Sequence, residues 1–582
     1  MRQFLLASAM ALCATSMCAQ DNFINNDTFW TTTDGKFIFS QGGGIFRFPD
    51  PQTGVERYFW YGVRYKEAVT YAASPTAGSK SNITNFEAVT CYVSDDLVNW
   101  SYVADVMTPS SFSGHDFAWW LGRLGVAYIP EVGKYALHVQ YNSSVLVALA
   151  DSPTGDFQFH QAIDMTSRIG TPNTGDQTVF TDDDGQSYLV YSYGSGRSKI
   201  YLSKIGVKDG LVTLLDVVQV YKGSGREGDC MFKCNGKYYI CASDLYGWNA
   251  SNVYYLESDS IYGPYTPTNS MLKMSGAADD YGHVTQTGFF VTVKGSEQET
   301  VVYCGDRWAG FAGNGNGFNQ WCPISFVDGK PYFNSLSQWS LDATTGLWEV
   351  GPDNNYVRNF SFDADRVKIP STSKPAQTYI KGWNFEVVRG NAILQGGEDS
   401  PVLNASNSVS DRAYVMGNYC LNVTDKVDFA RRIYQTVAST PSVELSDGLY
   451  TLTAKVKCGS AFSELYMYAT VGDETIKADI TYSDGVWHTI AIEDLAVRGG
   501  RVEVGFYADG AADAWVRFDD VSLVMTEPLP TSAVKGTTAS RMSDDVKFYS
   551  LSGRAVASPQ HGVFVKREVC NGNIVSRLIL KP

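Results

Sequence analysis

Gly225-Arg226-Glu227-Gly228-Asp229-Cys230-Met231-Phe232 runs almost directly into Asn235-Gly236-Lys237-Tyr238-Tyr239-Ile240. A lone carboxylate, Glu227, stands ahead of a short apolar run, and a Gly-containing turn joins that run to an aromatic one. This is the pattern of a β-hairpin. The pattern recurs. Gly42-Gly43-Gly44-Ile45-Phe46-Arg47 leads to Arg57-Tyr58-Phe59-Trp60-Tyr61-Gly62, and Val126-Ala127-Tyr128-Ile129 to Tyr135-Ala136-Leu137-His138. Gln177-Thr178-Val179-Phe180 leads to Tyr188-Leu189-Val190-Tyr191, and Thr287-Gly288-Phe289-Phe290-Val291 to Thr300-Val301-Val302-Tyr303-Cys304. A unit of short strands repeating at roughly 50 residues cannot bury its own faces, and radial stacking supplies the core. Residues 30–350 are therefore expected to form an all-β, five-bladed β-propeller.

At 582 residues the chain exceeds one core, so further domains are expected. After Trp348 the pattern changes to evenly spaced short strands, and 355–527 reads as a β-sandwich. Glu527-Pro528-Leu529-Pro530 opens a linker and small β tail over 528–582. Residues 1–20, with Arg2 before an apolar run ending in small residues, read as a signal peptide and imply a secreted, periplasmic or cell-surface protein. No later stretch is long and apolar enough to insert in a membrane. Nine cysteines follow residue 20, an odd number scattered through strands, and are expected as buried thiols; Cys230 and Cys234 have a zinc-like spacing but no partner pair.

The net charge of -15 argues against nucleic acid or an anionic membrane as partner, leaving a neutral ligand. An aromatic content of 13% suits sugar-binding surfaces as well as β cores. In a propeller the residues that begin the inner strands gather at one mouth of the central channel. The five copies place Gln41, Arg123, Asp176, Glu227 and Gln286 there. Two carboxylates on adjacent blades are what glycosidic cleavage uses: Glu227 as general acid, its proton held by the neighbouring charge of Asp176. An inverting enzyme also needs a base for water, and no carboxylate stands at Gln41. The pair Trp119-Trp120 is either a sugar-stacking wall or inter-blade packing, and Trp248 and Trp308 are open to the same two readings. His283, a lone His in a polar turn, is either hydrogen-bonded or a ligand to a cation, and Asp519 or Asp520 either help hold a structural calcium or face solvent.

The five-bladed pattern, Gly175-Asp176-Gln177-Thr178-Val179-Phe180 and Arg226-Glu227-Gly228 together resemble glycoside hydrolase family 43. Within it, Gly42-Gly43-Gly44-Ile45, Tyr246-Gly247-Trp248-Asn249, Thr285-Gln286-Thr287 and Gly305-Asp306-Arg307-Trp308 are similar to the exo-β-1,3-galactanase branch, and 355–527 resembles the carbohydrate-binding modules attached to such enzymes. The resemblance implies an inverting hydrolase needing no cofactor, with Glu227 as acid, Asp176 as modulator and Gln286 in the place of the base. It also implies Gln41, Arg123, Trp248, Trp308, Asp116 and Trp120 as substrate contacts. The branch carries a Glu before the Arg of blade two, where this chain has Gly122-Arg123; His115 or Asp116 are the candidates to replace it. The implied substrate is an arabinogalactan-type plant polysaccharide, with terminal galactose released from β-1,3-galactan. The alternatives are an α-L-arabinofuranosidase and a propeller that binds carbohydrate without cleaving it.

Overall fold

A computed structural model describes residues 23–73, 85–112, 120–141, 144–247, 249–308, 317–364, 380–391, 403–404, 420–529, 547–549, 555–556, 562–570 and 573–581. The segment 1–20, His115, Asp116, Trp119 and Trp248 lie outside them.

Five antiparallel sheets form the five blades. Their inner strands are Gln41–Pro49, Leu121–Ile129, Thr174–Thr181, Glu227–Cys234 and Gln286–Lys294. Each pairs with the next strand in sequence: Glu56–Tyr65, Lys134–Tyr141, Ser187–Tyr193, Lys237–Ser243 and Glu299–Trp308. These are the five hairpins that the sequence pattern predicts. Successive inner strands pack side by side, and the fifth lies against the first, closing the ring. The strand Ile24–Asn25 pairs with Gln338–Leu341, tying the start of the described chain to the segment after the last blade.

Local chemistry explains the hairpins. Asn235 and Gly236 both hold positive φ, 51° and 74°, as a two-residue turn matching strand twist requires. Asp209-Gly210 and Asp328-Gly329 repeat the device. Between blades the packing is aromatic: Trp30, Trp60, Trp100 and Trp321 interlock with ring centroids 4.6–6.0 Å apart. Fully burying side chains of this size is worth roughly 1.5–3 kcal/mol each.

Every inner strand also breaks register near its first residues. The breaks fall between Gln41 and Gly44, Leu121 and Leu124, Thr174 and Gln177, Glu227 and Cys230, and Thr287 and Phe289. Bulges of this kind re-aim side chains beside functional sites. Here all five stand at the same end of the ring.

The sandwich packs two five-stranded sheets face to face. One is ordered Asn384–Arg389, Phe429–Ala438, Arg501–Gly510, Phe462–Val471, Glu474–Asp479; the other Leu403–Asn404, Cys420–Thr424, Trp515–Pro528, Gly448–Cys458, Trp487–Val497. Gly448–Cys458 alternates buried and half-buried residues along its whole length, as a strand with one face in a core must. Its leading segment touches the propeller: Arg307 pairs with Asp363 at 2.8 Å and Arg358 with Asp279 at 3.0 Å. Taken by itself, the C-terminal unit is one four-stranded sheet of Lys547–Tyr549, Ala555–Val556, Gly562–Cys570 and Asn573–Lys581.

Eight cysteines are buried free thiols, Cys230 and Cys234 among them. Asp519 is fully buried, so the solvent-facing reading does not hold for it. Among the described residues no group of three His, Cys, Asp or Glu side chains is placed to hold a metal, and no helix is long and apolar enough to cross a membrane.

Candidate active site

The five bulged strand heads converge on a cavity of about 200 Å³ lined by Gln41, Arg123, Asp176, Glu227 and Gln286, together with Trp120 and Trp308. Larger cavities lie at the opposite end of the ring and between propeller and sandwich, about 650 and 520 Å³, and neither holds any of these residues.

Arg123 is the hub. Its side chain is only 4% exposed, and its guanidinium donates to Asp176 Oδ2 at 3.2 Å, Asp306 Oδ2 at 2.7 Å and Gln286 Oε1 at 3.0 Å. Three blades are thereby joined by one planar cation, which only the fork of an arginine can do. Trp308 Nε1 donates to the same Gln286 oxygen at 2.8 Å. The carbonyl side of that amide is therefore turned toward the protein, leaving its NH2 for the cavity.

Asp176 takes a second cation, Arg197, at 2.9 Å on Oδ1, and accepts the Gly228 N–H at 2.8 Å on Oδ2. Burial by itself would raise its pKa; Arg197, Arg123 and the Gly228 N–H outweigh that and hold the carboxyl well below the usual range. Asp176 is thus an anion whose charge is met by two arginines. Glu227, one residue before Gly228, accepts the Gly247 N–H on Oε1 at 3.0 Å, and its Oε2 lies 3.9 Å from the Arg197 guanidinium. Arg197 lies within reach of both carboxylates, and the Gly228 backbone ties Asp176 to the residue that follows Glu227.

The inner-strand bulge also holds a group that the sequence pattern gives no reason to single out. Asp229 is fully buried with both carboxyl oxygens unpartnered among the described residues, the Ser192 hydroxyl lying beside it without a well-formed bond. Burial, and then the charge of Asp176, push its pKa up to about 8.

At Gly122 an added Cβ would lie 2.4 Å from Trp120 Cη2 and 2.4 Å from Gln140 Oε1. The space a side chain would enter is filled by these two residues, and Gln140 Oε1 accepts the Arg123 N–H at 3.3 Å. Trp120 lines the cavity and also packs on the blade core.

Two segments set the cavity's fourth- and fifth-blade side. The loop from Asp244 to Asn252 is pinned by Arg226, whose Nη1 donates to Asp244 Oδ1 at 2.8 Å, and it delivers Gly247 to Glu227. Just before Gln286, Tyr281, Gly282, His283 and Val284 hold φ of 52°, 60°, 57° and 61°, a left-handed turn that costs on the order of 1–3 kcal/mol per non-glycine residue. Asp280 Oδ1 accepts the His283 N–H at 3.1 Å, and the His283 ring is bonded to Ser335 Oγ at 2.8 Å and Asp27 Oδ2 at 2.9 Å. With both ring nitrogens committed, His283 is a hydrogen-bonded brace, and the cation-ligand reading is set aside.

Sequence reasoning missed Arg197, Asp306 and Gln140. Arg197 follows Gly194-Ser195-Gly196 at a left-handed φ of 53°, a turn that sends the side chain back over the mouth. Asp306 and Gln140 sit on second strands, outside the strand-head alignment that finds the others.

The family model described as "Glycosyl hydrolases family 43" matches residues 77–320. Among solved structures, an exo-β-1,3-galactanase from Phanerochaete chrysosporium in complex with β-1,3-galactotriose is 20% identical, covering 86% of this chain and 100% of its own, with a TM-score of 0.48. An exo-β-1,3-galactanase from Clostridium thermocellum is 19% identical, covering 87% and 100%, with a TM-score of 0.49. No curated protein matches the chain. The match runs from ahead of the third strand of the first blade to the start of the third strand of the fifth, and it marks this part of the chain as a glycosidase domain of glycosyl hydrolases family 43.

Proposed function

We propose that this exported chain releases terminal galactose from β-1,3-galactan of the arabinogalactan type, with inversion. The observation that carries the reading is the meeting of Glu227 and Asp176 at one small cavity with Arg197 between them. Glu227 gives its proton to the leaving glycosidic oxygen as the bond to the anomeric carbon breaks. Asp176, held ionised, fixes Arg197 and the Gly228 backbone, and so the geometry of the acid. Water adds from the opposite face, oriented by the Gln286 NH2, and passes its proton to solvent. The cavity, about 200 Å³, is smaller than typical ligand pockets and suits one sugar ring with Trp120 and Trp308 beside it, which supports removal from a chain end. Four stretches resemble the galactanase branch, and all four contribute to this mouth: Gly42, Gly247, Gln286 and Trp308 line it, with Asp306 behind Arg123.

A second reading, a propeller that binds glycan without cleaving it, is favoured by one feature. Asp176 is the only lining carboxylate besides Glu227 among the described residues, and both its oxygens already have donors. The assay is incubation with β-1,3-galactan and with arabinose-decorated arabinogalactan, following the first-formed anomer by proton NMR. Release of α-galactose bears the proposal out; arabinose, β-galactose or no sugar at all overturns it.

A further inference from the structure

The left-handed turn Tyr281–Val284 needs an explanation, because Tyr281, His283 and Val284 each carry a Cβ, and a β-branched residue such as Val284 strongly avoids that region. Such a turn persists only where its surroundings over-determine it. Part of the hold is internal: Val284 N–H donates to Asp280 O at 2.8 Å and Thr285 N–H to Tyr281 O at 3.1 Å.

The propeller adds the Asp27 and Ser335 bonds to the His283 ring and a bond from Gln320 Nε2 to His283 O at 2.7 Å, and the sandwich supplies a further hold. Lys381 Nζ lies 4.3 Å from the centre of the Tyr281 ring, a cation–π contact, and Lys381 is only 7% exposed. Ala364, fully buried, packs in one apolar cluster with Tyr281, Val284, Tyr246 and Ala250. Asn359 binds these two points into one piece: its Nδ2 donates to Lys381 O at 2.8 Å and its Oδ1 accepts the Ala364 N–H at 3.0 Å.

What the turn touches on its other side is the catalytic machinery. Tyr246 and Ala250 flank Gly247, the donor to Glu227. The Tyr281 and Tyr246 rings meet edge to face at 6.2 Å, and Ser251 N–H donates to Thr285 O at 3.0 Å, joining the acid's loop to the residue before Gln286. One strained turn therefore touches both the acid's loop and the strand of the water-orienting amide.

We infer that the sandwich is a working part of the active site: through Lys381 and Ala364 it clamps the left-handed turn, and the clamped turn positions Glu227 and Gln286. Lys381 and Ala364 are positioning residues, and neither lines the cavity. The consequence for turnover rests on the function proposed above; the clamp itself does not.

The test uses full-length protein and two kinds of readout. In Lys381→Met, hydrogen exchange in peptides covering 244–252 and 281–287 should quicken at least tenfold while the other blades keep their protection. On galactan, kcat should fall about tenfold with KM within twofold. Lys381→Arg, which keeps the cation over the ring, should restore both. Asp363→Asn, which weakens the neighbouring contact to Arg307, serves if Lys381→Met does not fold and should quicken the same two peptides. Unchanged exchange in both peptides, or a uniform quickening across the propeller, overturns the inference, as does unaltered kcat in an active enzyme. A wild-type protein that releases no sugar would retire the acid role of Glu227 and leave exchange to decide the clamp.

Discussion

Arg123 Nη2 donates to Gln286 Oε1 across 3.0 Å, and Trp308 Nε1 occupies the same oxygen at 2.8 Å. An amide oxygen with two donors, one of them a guanidinium, is a poor place to receive a proton. Gln286 is accordingly expected to act through its NH2. Gln286→Glu, which exchanges that donor for an acceptor, should lose activity as Gln286→Ala does, each by roughly ten- to a hundredfold in kcat. A Glu variant as fast as wild type, or faster, would show that position 286 serves as a base.

Glu227 should be indispensable for cleavage and dispensable for binding. Glu227→Gln keeps shape and the Gly247 contact but has no proton to give, so galactose release should fall by about 10²–10⁴-fold while affinity for a galacto-oligosaccharide, measured by calorimetry, holds. Undiminished turnover removes Glu227 from the acid role.

Asp229 predicts a pH dependence of stability. Its folded pKa, about 8, lies above its unfolded value, so between pH 4 and pH 8 the folded chain holds a proton that the unfolded chain has released, and stability falls as pH rises through that window. Asp229→Asn removes this loss. The variant should match wild type in Tm near pH 4 and exceed it increasingly toward pH 8, by up to about 1.4 kcal/mol for each pH unit of the window. A Tm difference that does not change with pH would be incompatible with a neutral Asp229.

Gly122 predicts a steric coupling. Gly122→Ala pushes a methyl group against Trp120 and Gln140 and should cost ~1–3 kcal/mol in chemical denaturation. Trp120→Phe removes the Cη2 that the methyl would strike, so the double variant should lose less than the two single losses added together. Simple additivity would mean that Trp120 swings aside at no cost.

Much of this was legible beforehand because propeller physics is repetitive. The five hairpins could be read from aromatic strands and Asn-Gly or Asp-Gly turns, and aligning their heads was enough to bring Gln41, Arg123, Asp176, Glu227 and Gln286 to one mouth. What lay beyond reach was set by contacts between residues distant in sequence. Asp306 is hidden on a second strand and known only through Arg123; Arg197 arrives by a turn; the room at Gly122 is visible only once Trp120 and Gln140 are in place. The partners of His283 could not be read from sequence, because Asp27, which meets its Nε2, lies 256 residues away. Asp229, one more acidic letter in a strand, gave no hint of being sealed in.

The extra residue at the head of each inner strand has a bearing on how such a ring changes over time. Below the bulge, pairing resumes in regular register whatever stands above it, so the rim is mechanically insulated from the ladder that keeps the blades together. Exchanges at the rim can then alter which sugar is held, or whether it is cut, with little penalty in folding, and one scaffold can be re-tooled by lineage while its aromatic wedges stay as they are.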